Sequence, residues 1–180
     1  MEDRGPQVAT EAPSGPTSTL VLTREDGSTV PFPDVTISCT PPVTEAGDPI
    51  SSGEGRIWMY SPIAFRGSED TGDVEVEEPF VYFEGVVRKL QGDRTFTFPE
   101  QNEQHNLATE DMPMILFAAD PDSAGPHGAN EVSSQESKTT GTVRVVKASC
   151  DPTPVLELVV DSSLGSEVDG PNLSLAGTVR

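Results

Sequence analysis

The chain has 180 residues and a formal net charge of −19, from 30 Asp and Glu against 11 Lys and Arg. That length suits a single domain, and so few basic residues leave no cluster able to grip a phosphate backbone, so the expected partner is a basic protein and not a nucleic acid. No run approaches the ~18 consecutive apolar residues that a membrane-spanning helix needs, and no membrane insertion is expected.

Hydrophobic residues make up only 34% of the chain, while 16 Gly and 17 Pro punctuate it, which points to short elements joined by many turns. The opening, Met1-Glu-Asp-Arg-Gly-Pro, has neither a basic n-region nor an apolar h-region. Residues 1–18 are rich in Pro, Gly, Ser and Thr and read as a flexible leader, with one β domain expected over 19–180.

In chain order, Leu20-Val-Leu22 and Val30-Pro-Phe32 flank Arg24-Glu-Asp-Gly-Ser28, where Asp26-Gly27 supplies a tight hairpin turn. Val35 to Cys39 alternates, so Val35, Ile37 and Cys39 should share the face turned to the core. Thr40 to Gly55 reads as a long loop. Arg56-Ile-Trp-Met-Tyr-Ser61 is a central strand with apolar residues on both faces. After an acidic loop, Val74 to Glu77 alternates, and Phe80 to Arg88 carries the strongest strand signal of the chain.

Leu90 to Arg94 is read as a turn returning through Thr95-Phe-Thr-Phe98, and Pro99 to Met112 as polar with one short helical turn. Met114 to Phe117 is a short strand, followed by a second long loop over Asp120 to Thr140. Thr142–Ser149, Val155–Val160 and Leu173–Val179 close the pattern. Alternation breaks at Val145-Val146, which predicts a bulge and leaves the facing of Cys150 open. The sum is an all-β fold, an antiparallel sandwich or open barrel of about 9–11 short strands.

The chain's two cysteines, Cys39 and Cys150, each end one of these strands ahead of a proline turn. If paired, they close a loop of about 110 residues and add about 4–5 kcal/mol in the chain-entropy model. Disulfides persist in oxidising compartments, so pairing implies an exported or surface-tethered protein; free thiols would instead suit the cytoplasm or a virion. An immunoglobulin module is disfavoured by the wide cysteine spacing and by Ala148 where a tyrosine should stand two residues before the second cysteine.

The chemistry-bearing patterns are sparse. Asp120, Asp122, Gly125 and Glu131 fall at positions one, three, six and twelve of a calcium loop, but Ala124 takes the fifth position and Pro126 stiffens the seventh. Calcium is therefore the sole cofactor considered, and none is expected. No Cys-x-x-Cys, Gly-x-Ser-x-Gly or phosphate-binding glycine loop occurs, and the two histidines, His105 and His127, lie in polar stretches. Ser162-Ser-Leu-Gly-Ser166 reads as a turn after a strand. The expectation is a non-enzymatic interaction or structural domain that binds through its long loops, with a particle protein of a phage, or a carboxylate-based hydrolase, as alternatives.

Overall fold

The computed structural model describes residues 16–40, 55–61, 78–100, 113–125 and 128–180. The leader up to residue 15, most of the loop Thr40–Gly55, the acidic stretch around Val74–Glu77, both histidines and most of Pro99–Met112 lie outside these residues.

Among the described residues, eleven antiparallel strands form one sheet nearly closed into a barrel, as the alternating patterns predict. They are β1 Thr17–Thr23, β2 Thr29–Asp34, β3 Thr36–Thr40, β4 Arg56–Tyr60, β5 Phe80–Val86 and β6 Arg94–Phe98. There follow β7 Met114–Gly125, β8 Gly128–Ser133, β9 Thr140–Ser149, β10 Val155–Ser166 and β11 Leu173–Val179. The lateral order is β2-β1-β11-β10-β8-β7-β5-β4-β3, with β9 and β6 branching from β10.

The branch arises because β10 is long enough to serve two neighbours in succession. Val155–Ser163 pairs with β9, Leu158–Leu164 with β11, and Gly165–Ser166 with β8. Inward positions alternate along the strands and converge on one core, including Leu20, Leu22, Ile57, Met59, Phe83, Phe96, Leu116 and Leu158, all buried. Burying such side chains contributes roughly 1.5–3 kcal/mol each and is what selects the register, since a one-residue slip would turn every one outward.

Four stretches differ from the sequence expectation. β1 starts at Thr17, inside the expected leader, because the Thr17 N–H and C=O pair with Arg180 and so extend β1 along β11. The strand from Phe80 stops at Val86, where Val87–Leu90 tightens into a 3-10 turn that folds Leu90 into the core. Gly85 makes room for it: a Cβ there would stand 2.5 Å from Leu90 Cδ1.

The largest correction concerns Asp120 to Thr140, which is not a long loop. β7 runs on through Gly125 and β8 returns over Gly128–Ser133, with Phe117, Ala118 and Ala119 facing Ser133, Val132 and Glu131. Proline cannot donate to a ladder, and the register is irregular between Asp120 and Gly125, where Pro121 sits. The turn beyond β8 is tied down by Thr139 Oγ1, which donates to Ser133 O at 2.7 Å and accepts from Gly165 N at 2.9 Å. Ser162 to Ser166 likewise belongs to β10 and is not a turn; Ser162 Oγ donates to Leu175 O in the interior.

Candidate functional site

Two places gather chemistry-bearing side chains: the cysteine bridge and one charged cleft at an end of the sheet.

Cys39 and Cys150 form a disulfide, with Cα atoms 6.0 Å apart and 111 positions between them in sequence, inside the usual range for such bridges. Cys39 lies on β3 opposite Ile57, and Cys150 directly follows β9. The predicted bulge decides the second orientation. Leu158 faces Val145 while Glu157 faces Lys147, so Val146 is the extra residue on β9. Val143 and Val145 are buried before it and Ala148 after it, so the inward parity shifts by one and brings Cys150 to the core side with Ala148. Both cysteines pack, partly buried, against the hydrophobic cluster.

At the cleft, Arg24 ends β1 and opens the turn to Ser28, where Gly27 takes the left-handed backbone (φ 85°) that a side chain disfavours. Its guanidinium reaches across to β7. Arg24 Nε donates to Asp120 Oδ2 at 2.7 Å and Nη2 to Asp120 Oδ1 at 3.1 Å, a two-point clamp on a fully buried carboxylate. Arg24 Nη2 also donates to Asp122 Oδ2 at 3.2 Å, and the Ser123 hydroxyl and Asp122 N–H donate to Asp120 as well.

Burial alone would raise the Asp120 pKa, but the hydrogen bonds from Arg24, Ser123 and the Asp122 N–H outweigh it and hold the carboxyl below its ordinary value. Asp120 in turn raises the Arg24 pKa. Hydrogen bonds from the Ser28 hydroxyl and N–H lower that of exposed Asp26. Around this pair lies a cleft of about 340 Å³, lined by Arg24, Glu25, Asp26, Asp122, Ser123 and Pro171.

The calcium-loop residues do not meet as that pattern requires. Asp120 and Asp122 share Arg24, whereas Glu131 stands on β8 opposite Ala119 and its carbonyl accepts from the Glu167 N–H. Partial burial, with repulsion from Glu136 and Glu131, raises the Glu167 pKa. Among the described residues no three His, Cys, Asp or Glu side chains gather to hold a metal ion.

Sequence reading assigns Arg24 no role, and nothing local marks it, because its partner lies 96 positions away. It also overlooks a charged and aromatic group on the outer face of β4 and β5. Tyr82 OH donates to Glu84 Oε2 at 2.6 Å, Arg56 pairs with Glu84, and the Trp58 and Tyr82 rings sit 5.7 Å apart. Burial, then Glu84, pushes the Tyr82 pKa up. Alternation does place Trp58 on a sheet face, as found; its Nε1 is buried without a hydrogen-bond partner.

Among the described residues no helix is long and apolar enough to cross a membrane. No protein-family model, no curated protein and no solved structure matches this chain.

Proposed function

We propose that the chain is a non-enzymatic interaction or structural domain, exported or tethered at a cell surface, whose barrel is closed by one disulfide. The single observation that carries this reading is the Cys39–Cys150 bridge. A bridge on two half-buried cysteines, joining strands far apart in sequence, suits a compartment where thiols are not kept reduced. Ser123 and Ser166 spend their hydroxyls on Asp120 and Asn130, which agrees with a binding role.

The partner is a basic protein, a reading supported by 30 acidic against 11 basic residues. Such a surface speeds encounter with a cationic partner at low ionic strength and loses that advantage as salt rises. Fractionation of cells producing the protein at its native level tests the proposal. The chain is expected outside the cytoplasm with both cysteines oxidised; recovery in the cytoplasm with free thiols, or within a symmetric particle, would replace this reading with a structural particle protein.

A further inference from the structure

We infer that the Cys39–Cys150 bridge is a redox-sensitive clasp: a dithiol that reduces it releases β3 from β4 while the rest of the barrel stays folded. The inference rests on the same bridge as the export reading, but adds that the bond can be opened to a defined effect.

Among the described residues, ten of the eleven strands send at least one buried hydrophobic side chain into the core, from Leu20 on β1 to Val179 on β11. β3 is the exception among its described side chains: Ile37 and Cys39 are only partly buried, and Thr36 is exposed. Its ladder is also one-sided. Thr36–Thr40 pairs with Tyr60–Arg56 of β4, and among the described residues no strand pairs with its other edge. Hydrogen bonds along one side of a five-residue strand, backed only by the partly buried Ile37 and Cys39, are worth little net free energy against water. What remains is Val35, buried just before β3, and the bridge to Cys150 at its far end. The strand is therefore pinned at both ends, and one pin is a bond that a reductant can remove.

The chemistry closes on a dithiol reductant. Its thiolate attacks one cysteine sulfur, the S–S bond breaks, and the other cysteine leaves as a thiolate. The reductant's second thiol then displaces the first cysteine and forms the reductant's own disulfide. Two electrons pass to the protein, and the reductant's two protons end on Cys39 and Cys150. Both cysteines are partly buried rather than enclosed in the core. Release of β3 would leave the edge of Arg56–Tyr60 unpaired, the kind of edge that proteins otherwise keep covered.

Hydrogen-exchange mass spectrometry on the full chain tests this, comparing oxidised protein, protein reduced with dithiothreitol, and the double variant Cys39→Ser, Cys150→Ser. Exchange over residues 36–40 and 56–60 should rise at least about tenfold on reduction and in the variant, while β10 and β11 keep their protection. Unchanged exchange at 36–40 would overturn the clasp, as would simultaneous loss of protection in every strand, which would make the bridge a staple of the whole fold. Both cysteines reacting with alkylating reagent before any reduction would instead remove the export reading at its root, so the two failures are distinguishable.

Discussion

Replacing Arg24 by leucine keeps an apolar stem at the sheet end but strips Asp120 of its two-point partner. The carboxylate stays fully buried and loses donors now at 2.7 and 3.1 Å, keeping only Ser123 and the Asp122 N–H. Breaking one side of a buried pair costs about 3–5 kcal/mol, a sizeable share of a typical domain's stability. The sign of the pH dependence is sharper still. In the native protein the Asp120 pKa is depressed, so its contribution is in place above its unfolded value of about 3.9 and is lost as pH falls through the lower folded value. Without Arg24 nothing comparable opposes the effect of burial and the folded pKa rises, so the variant's penalty is greatest at neutral pH and shrinks on acidification. Urea unfolding between pH 3 and 8 reads both. Adding Asp120→Asn to the variant should restore about half the loss, since it removes the unpaired charge. A cost under about 1 kcal/mol with no pH trend would show the pair to be solvated and would refute the reasoning.

Deleting Val146 removes the extra residue of the bulge without changing which face Ala148 and Cys150 take, so the bridge should still form, and alkylation followed by mass spectrometry should find no free thiol. Gly141→Ala places a methyl group against the Asp161 carbonyl at a left-handed position (φ 97°) and should cost about 2–4 kcal/mol in thermal or chemical unfolding. Glu167→Gln should give a small rise in Tm at neutral pH that disappears on acidification below about 4.5, because the raised folded pKa marks an ionised form that the native state disfavours.

Which parts of this structure could be read from the chain follows from how local their causes are. Alternation over Val35–Cys39, Arg56–Tyr60 and Phe80–Val86 is a short-range signal with one solution, and those strands stand where the pattern puts them. The Val145-Val146 break is also local, and the bulge it predicts is present. By contrast, Asp120 to Gly125 carries the Pro, Gly, Asp and Ser of a loop and becomes strand only because β5 and β8 offer partners on either side of β7. The same non-locality hid the cleft. Asp120 looked like a metal ligand because its neighbours in sequence are acids, whereas its partner in space is an arginine from another strand's end. Pairing of the cysteines depended on both kinds of information, alternation for Cys39 and a bulge for Cys150, and the closed barrel brought them together.

The central claim is the oxidised bridge, and intact mass spectrometry of natively produced protein with and without prior reduction tests it most directly. The account predicts no alkyl group added to Cys39 or Cys150 before reduction and one on each afterwards. Alkylation of both cysteines in the untreated protein would contradict it.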